Sequence, residues 1–207
     1  MQKLYLEYPE INEIKANIIS RRVQDGNTQI ILDRTIFMPN TSYLLEDKGH
    51  ISGLEIISVD NKRDNIIHLV KGKPEKSQVI LSLDMENRFK NLAYNTAYII
   101  FKMVMEVLYS FKDIKLDRFD GKWVFKISEF YENLDVSLVQ YQVNYIIARA
   151  LNIDNSQGIV TIDPIGEVIN NDPCFDNTAK TSGFKILETK YHGSDLEIEF
   201  LVADDIL

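Results

Sequence analysis

The chain has very little cysteine, because Cys174 is the only one in 207 residues. A single thiol excludes an internal disulfide and is typical of a reducing compartment. The sequence also lacks any apolar run approaching the roughly 20 residues that cross a bilayer. Its first seven residues become acidic before an apolar core of signal-peptide length develops. These absences predict a soluble, cytoplasmic protein that does not enter a membrane.

An excess of positive charge is missing as well. The formal net charge is −8 and the isoelectric point is about 5.0. Generic coating of nucleic acid depends on clustered cations that neutralise phosphates, so this balance argues against it and leaves local contact with an RNA end open. The apolar fraction of 45% excludes general disorder. A chain of this length can bury one substantial core or two small ones.

The N-terminal part of the chain has the spacing of short strands. Apolar runs at 29–32, 53–59, 65–70 and 79–83 are separated by polar or Gly/Pro clusters. Closely spaced short strands of this kind predict a small barrel or a strongly curved sheet.

The hydrophobic period changes near residue 84. Apolar residues recur at helical spacing over 86–109 and again over 137–151. Short β runs return at 159–162, 184–189 and 196–202. This order of elements separates the chain into a strand-rich part and a part that contains both helices.

The predicted fold class is therefore α+β. We expect a β-barrel-like N-terminal domain over 1–83 and a C-terminal α+β domain over 84–207. In the second domain we expect two long helices to pack on an antiparallel sheet.

The most informative motif lies on the first predicted helix, where residues 95–99 read N-T-A-Y-I. Histidines at positions i and i+4 share one helix face and can bind a single Zn²⁺. Asn95 and Ile99 occupy these two positions here. An amide oxygen binds zinc weakly and a hydrocarbon side chain does not bind it. The motif has the spacing of H-T-A-x-H without its imidazoles.

Six further segments occur in an order found in one protein family. Residues 32–39 are similar to L-x-x-T-x-F-Y-P, residues 84–88 to D-x-x-x-R, and residues 142–147 to V-N-x-x-I. Residues 67–70 match a short β segment with a histidine. Residues 172–178 stand where the family has C-G-G-T-H.

The remaining segment, 40–49, stands where the family has E-G-G-G-Q-P-x-D-x-G, and only Asp47 and Gly49 match. Taken in order, the segments cover nearly the whole chain. They resemble the free-standing AlaX-type alanyl-tRNA editing proteins, which are similar to the editing domain of alanyl-tRNA synthetase, the second additional domain shared with threonyl-tRNA synthetase.

The resemblance implies a zinc site that is degenerate in this chain. The family holds zinc with two histidines on the first long helix and with the Cys and His of C-G-G-T-H. The matching residues here are Asn95, Ile99, Cys174 and Thr178. One thiol cannot replace the hydration of the cation, so we expect no metal and no other cofactor. A different set of metal ligands is the open alternative.

The resemblance also implies a substrate pocket lined by these four residues and by Thr35. No residue is assigned a catalytic role. Asn95 is interpreted as a hydrogen-bonding residue on a half-buried helix face rather than a catalytic amide. Cys174 is interpreted as a small buried hydrophobe rather than a nucleophile, because the sequence places no histidine beside it.

The glycine-rich loop of the family is lost too. Consecutive glycines let a backbone approach a ligand closely. Residues 41–44 read T-S-Y-L in place of G-G-G-Q, which should narrow the pocket and make it more apolar.

A separate feature is the group of five cations between residues 112 and 126, namely Lys112, Lys115, Arg118, Lys122 and Lys126. A solvated face is the favoured interpretation of this interval, and an RNA-contacting strip is the alternative.

Three functions remain open at this point. The first is an editing-family protein that has lost its zinc ligands and is weak or inactive as a deacylase, while still binding a tRNA acceptor end or a small aminoacyl-like ligand. The second is a metal-independent trans-editing hydrolase of mischarged tRNA(Ala), acting by orientation alone. The third is a non-catalytic binding or interaction module, with a homodimer among its options.

Overall fold

A computed structural model describes residues 1–62, 65–156 and 158–206. The described residues form a mixed fold of three α-helices and mostly strands, which confirms the two element types predicted from the sequence. The helices are α1 (Leu4–Glu7), α2 (Met85–Tyr109) and α3 (Val136–Ala148). The strands are β1 (Gln2–Lys3), β2 (Glu13–Gln24), β3 (Asn27–Leu32), β4 (Arg34–Thr35), β5 (Lys48–Ile51), β6 (Leu54–Lys62), β7 (Asn65–Lys71), β8 (Gln78–Asp84), β9 (Ile114–Phe119), β10 (Lys122–Ile127), β11 (Asp154–Ser156), β12 (Ile159–Ile162), β13 (Gly166–Ile169), β14 (Phe184–His192) and β15 (Asp195–Val202).

The chain divides into two compact units, Met1–Lys90 (unit 1) and Asn91–Leu207 (unit 2). The domain boundary at 83/84 stays a prediction, and the change from strand to helix lies close to it, between Asp84 and Met85. Within the described ranges, none of the helices is both long and apolar enough to span a bilayer.

Unit 1 is built on six strands that hydrogen-bond in a closed ring, in the order β2-β3-β7-β6-β5-β8. Every pairing in the ring is antiparallel. Buried residues alternate with more exposed ones along β3, β7 and β8, as the period of two requires. Register shifts at Ile18/Ser20 and Ile56/Ser58 mark irregularities of the kind that bend a strand.

A buried ion pair ties the loops of unit 1 to the start of α2. The guanidinium of Arg88 contacts Asp47 at 2.5 Å, and neither side chain has exposed surface. The same guanidinium donates to the carbonyl oxygens of Pro9 (2.8 Å) and Ile36 (2.7 Å). Asp47 also accepts the backbone N–H of Met38 at 2.7 Å. One charged pair therefore organises four separate stretches of chain.

Unit 2 contains a four-stranded antiparallel sheet in the order β14-β15-β10-β9. Helix α2 packs on it through stacked aromatic rings. Tyr94 stacks on Trp123 with centroids 4.3 Å apart, and Phe101 stacks on Phe125 at 4.1 Å. Phe125 in turn stacks on Phe200 of β15 at 3.9 Å. Stacked rings of this kind add to the stability gained from their burial.

Helix α3 is joined to the edge of the same sheet by side-chain amides. Asn144 donates to the carbonyl of Phe184 (2.7 Å) and accepts its N–H (3.0 Å). Gln140 accepts the N–H of Ile186 at 2.8 Å. The two amides thus satisfy backbone groups of the edge strand β14, as a neighbouring strand would.

The ends of the two long helices differ in how well the sequence predicts them. Helix α2 covers the predicted 86–109 almost residue for residue, and Asp84 accepts the N–H of Glu86 at its start. The prediction of a helix to residue 151 was wrong, because α3 ends at Ala148 and Ala150 has a φ of +52°. Leu151 instead bonds to Thr178, far away in the sequence.

The buried ion pair predicts a large loss of stability when one partner is removed. Arg88→Met leaves the carboxylate of Asp47 buried without its counter-ion, and this should lower the free energy of unfolding by about 3–5 kcal/mol. Asp47→Leu with Arg88→Met should lose less than the sum of the single variants, because no lone charge remains. Urea unfolding measures these differences.

The matched control is Lys112→Ala, which breaks the exposed ion pair with Glu106. It should change the free energy of unfolding by about 1 kcal/mol or less. Equal effects of Arg88→Met and Lys112→Ala would contradict the role given to the buried pair.

Candidate functional site

Asn95 connects helix α2 to the segment that follows β13. Its side-chain nitrogen donates to the carbonyl of Pro173 (3.0 Å) and to the side-chain oxygen of Asn170 (3.3 Å). Its own oxygen, Oδ1, is buried and makes no hydrogen bond within the part of the chain that the structure describes. The residue is 1% exposed, so the helix face expected to be half-buried is fully buried here. Asn95 thus holds one end of the 170–175 segment.

Thr96 holds the other end of that segment. Its hydroxyl accepts the N–H of Phe175 at 3.0 Å and donates to the carbonyl of Leu92 at 2.7 Å. Asn170 bridges within the segment by donating to the carbonyl of Asp172 at 2.6 Å. No sequence motif predicted a role for Thr96 or Asn170, and the only signal for Thr96 was its place beside Asn95.

Ile99 lies one helical turn beyond Asn95 and has no exposed surface. Its side chain is a hydrocarbon, so it contributes packing at the position where the family has an imidazole. A buried aliphatic group of this size adds roughly 1.5–3 kcal/mol to stability.

The Cys174 thiol is buried and close to one polar group. Asn155 donates its side-chain N–H to the sulfur at 3.7 Å. Burial raises the pKa of the Cys174 thiol to about 12; the Asn155 hydrogen bond partly opposes the shift and the charge of Asp176 adds to it. The thiol is therefore protonated at neutral pH, whereas nucleophilic attack and metal binding both need the thiolate.

Thr178 closes the C-terminal end of helix α3. Its hydroxyl donates to the carbonyl of Ile146 (3.0 Å) and accepts the N–H of Leu151 (2.9 Å). Its backbone N–H donates to the carbonyl of Leu151, also at 2.9 Å. The last carbonyls of a helix lack partners within the helix, and Thr178 supplies one.

Thr35 belongs to unit 1 and forms a buried pair with His68. The Thr35 hydroxyl lies 2.8 Å from the imidazole Nε2, and it accepts the N–H of Phe37 at 3.1 Å. The other ring nitrogen, Nδ1, lies 3.3 Å from the carbonyl of Ile30. A neutral ring protonated at Nδ1 satisfies all of these contacts, with Nε2 accepting the Thr35 hydroxyl.

Burial lowers the pKa of His68 to about 4, with the Ile30 carbonyl partly opposing the shift. The imidazole is therefore neutral at pH 7. Neither His68 nor Thr35 has exposed surface, so the pair acts within the core of unit 1. The sequence signal for His68 was only its place in the short β segment 67–70, where no pairing with Thr35 was predicted.

The five expected pocket residues thus have three kinds of environment. Asn95 is linked to Pro173, which directly precedes Cys174. The hydroxyl of Thr178 is bonded to α3, and that of Thr35 to His68 in unit 1. Among the residues that the structure describes, no three His, Cys, Asp or Glu side chains group closely enough to hold a metal ion.

Most of the cations in the interval 112–126 have a neighbouring partner. Arg118 lies over the ring of Trp123 at 5.9 Å from its centroid. Three of the lysines form ion pairs with N–O distances of 2.6–2.9 Å, namely Lys112–Glu106, Lys122–Glu199 and Lys126–Asp117. These contacts favour the solvated face over the RNA-contacting strip.

Comparison with known proteins finds relatives of one kind. No family model matches the chain. The chain is 32% identical to the alanyl-tRNA editing protein AlaX-L of Pyrococcus horikoshii over 117 residues, which are 53% of this chain and 29% of that protein. It is 33% identical to AlaX-M of the same organism over 113 residues, 52% of this chain and 50% of that protein.

The aligned region thus spans about half the length of AlaX-M and less than a third of AlaX-L. Both similarities support the AlaX-type family that the sequence motifs indicated.

The environment of Cys174 predicts an unreactive thiol. Because its pKa is raised to about 12, the thiolate fraction stays negligible between pH 7 and 9 and grows only as the pH rises toward 12. A disulfide reagent such as DTNB should therefore react very slowly with the native chain at pH 8, and quickly once urea unfolds it.

The matched control is Cys174→Ala with Ser128→Cys, which places the single thiol at an exposed position. Native Cys174 reacting as fast as this exposed cysteine would show that the thiol is accessible and ionised, contrary to the prediction.

Proposed function

We propose that this chain is an AlaX-like member of the aminoacyl-tRNA editing family in which hydrogen bonds and packing stand in place of the zinc site. On this proposal the protein is weak or inactive as a deacylase. The observation that carries the proposal is the Asn95–Pro173 hydrogen bond, because it joins α2 to the segment that matches C-G-G-T-H. In the family, by resemblance, these two segments supply the ligands of one metal.

The residues at the four ligand positions do not fit zinc. Zinc sites in proteins use thiolate, imidazole or carboxylate ligands. Asn95 directs its nitrogen at Pro173, Ile99 has no donor atom, and Cys174 is a buried protonated thiol. The Thr178 hydroxyl is already bonded to helix α3. These four residues therefore provide no metal-assisted chemical step.

The same contacts leave ester hydrolysis without a base at these positions. A deacylase has to remove a proton from water and stabilise the charge that develops on the ester oxygen. The amide of Asn95 is not basic at neutral pH. The hydroxyls of Thr35 and Thr178 are both hydrogen-bonded within the protein. We therefore expect hydrolysis to be slow even when a ligand is bound.

The proposed ligand is a tRNA acceptor end or a small aminoacyl-like molecule. This proposal follows from the names of the two relatives and from the sequence motifs. The alignments cover about half of AlaX-M and less than a third of AlaX-L. The partner and activity of either relative are therefore assigned to this chain only as a proposal. Binding of this ligand is tested by titration calorimetry with serine linked to adenosine through a non-hydrolysable amide. Free adenosine is the control.

One observation keeps the metal-independent hydrolase as a second candidate. The buried Oδ1 of Asn95 has no partner among the described residues, and so it is an acceptor that could orient a water molecule or an amino group. Its side chain is only 1% exposed, which argues against direct access for a large substrate. Deacylation of mischarged tRNA, measured with and without a chelator, separates the two candidates.

The first prediction from this proposal concerns metal content. The protein purified without chelator should carry far less than one zinc per chain, measured by elemental analysis. A family member with intact H-T-A-x-H and C-G-G-T-H motifs, purified in parallel, should carry about one. A zinc per chain that disappears in Cys174→Ser would contradict the proposal.

The second prediction concerns activity. Seryl- or glycyl-tRNA(Ala) should be deacylated at close to the uncatalysed rate, because a catalytic metal contributes several kcal/mol and each ~1.4 kcal/mol is about tenfold in rate. Asn95→His with Ile99→His should not restore activity, since the capping Thr178 remains. The intact family member is the positive control.

Clearance of mischarged tRNA at the rate of that control, unaffected by a chelator, would favour the metal-independent hydrolase instead. Binding of the amide analogue without clearance would support the proposed function.

A further inference from the structure

An open cavity of about 540 Å³ lies on unit 1, beside the loop that connects β7 to β8. Three lysines and one glutamate provide its charged lining, namely Lys15, Lys73, Lys76 and Glu75. We call it the lysine cavity. Its lining is positive on balance, although the whole chain has a formal charge of −8. Local charge of the opposite sign to the net charge selects for an anionic partner at that place.

Both ends of the loop that carries two of these lysines are fixed to neighbouring strands. The hydroxyl of Thr28 donates to the carbonyl of Gly72 at 2.5 Å, and the Gly72 N–H donates to Gly26 at 3.1 Å. At the other end, the N–H of Ile18 donates to the carbonyl of Ser77 at 2.8 Å. Gly72 has a φ of +99°, which only glycine adopts without strain. The backbone between these ends is therefore held in place.

The middle of the loop is fixed as well. Pro74 is buried, and its carbonyl accepts a hydrogen bond from the guanidinium of Arg21 at 3.3 Å. Lys73 and Lys76 on either side are exposed. The loop therefore presents two ammonium groups on an anchored backbone, with the Arg21 cation directly beside them.

The cavity lysines differ from three of the four lysines of the basic interval, because no ion pair is found for them among the described residues. Among the described residues, Lys15, Lys73 and Lys76 form no ion pair, whereas Lys112 and Lys122 each pair with a glutamate. An unpaired ammonium keeps its full attraction for an external anion. A lysine binds phosphate as a point charge and releases counter-ions from RNA on binding.

We propose that the lysine cavity binds the phosphates of an RNA backbone. The identity of this polyanion rests on the proposed function, in which tRNA is the partner. The contact is independent of base sequence, because ammonium groups on a phosphate backbone do not read bases. The surface for RNA therefore lies on unit 1 rather than on the interval 112–126.

The test is binding of a fluorescent RNA duplex that lacks an aminoacyl end, measured by anisotropy between 50 and 200 mM salt. Lys73→Ala with Lys76→Ala should reduce the slope of log K against log salt by about 2, since each phosphate contact contributes close to 1. Lys112→Ala with Lys122→Ala is the matched control and should leave the slope unchanged. Glu75→Gln should tighten binding, because it removes the one acidic group of the lining.

An unchanged slope in Lys73→Ala with Lys76→Ala would overturn the inference and leave the proposed function standing, as would an equal loss in the control pair. Absence of RNA binding by the unmodified chain would also overturn it. Conversely, a chain that binds the duplex through these lysines but ignores the aminoacyl-adenosine analogue would keep the inference and lose the proposed function.

Discussion

The arrangement of unit 1 depends on the buried ion pair of Arg88 and Asp47. A guanidinium with no exposed surface is tolerable only when its N–H groups find acceptors, and here Asp47, Pro9 and Ile36 supply them. This requirement explains which residues of 40–49 match the editing family. Asp47 is the counter-ion, and a Cβ on Gly49 would lie 2.2 Å from the carbonyl oxygen of Ser82. Both matching residues are therefore needed by the framework.

In unit 2 as well, a residue that matches the family motif holds the framework, whereas a residue that differs from it forms weaker contacts. Asn144 matches the family motif V-N-x-x-I, and its amide satisfies both backbone groups of Phe184 on the edge strand. Asn95 differs from the family and forms bonds of modest strength to Pro173 and Asn170. Hydrogen bonds contribute about 1 kcal/mol each, far less than a structural zinc. Docking of the 170–175 segment must therefore depend largely on packing, to which the buried Phe175 contributes.

The sequence predicts elements whose signals lie within one segment, and it does not predict contacts between residues that are far apart in the chain. Helix α2 follows from a strong period of 3.6 and from Asp84 before it, and both signals lie within one segment. The predicted end of α3 was wrong by several residues, because the helix is closed by Thr178, which lies 27 positions beyond Leu151. Asn95 and Pro173 are 78 positions apart, and Thr35 and His68 are 33 apart. No periodicity encodes such pairs, so only the order of family-like segments indicated the candidate site.

In the proposed function binding persists without the chemistry, and the framework contacts give a physical reason for this. Residues that hold the framework are buried and satisfied on several sides, so replacing one leaves a charge or a backbone group without a partner. Replacing a metal ligand or a water-activating group need not leave a buried group without a partner. Here the hydrogen bonds of Asn95 and Thr96 join the same two segments. Phosphate contacts need only cations on an anchored backbone, as the loop at 72–77 provides. The proposed loss of chemistry at the ligand positions and the proposed binding on unit 1 therefore involve different residues, and the first does not require loss of the second.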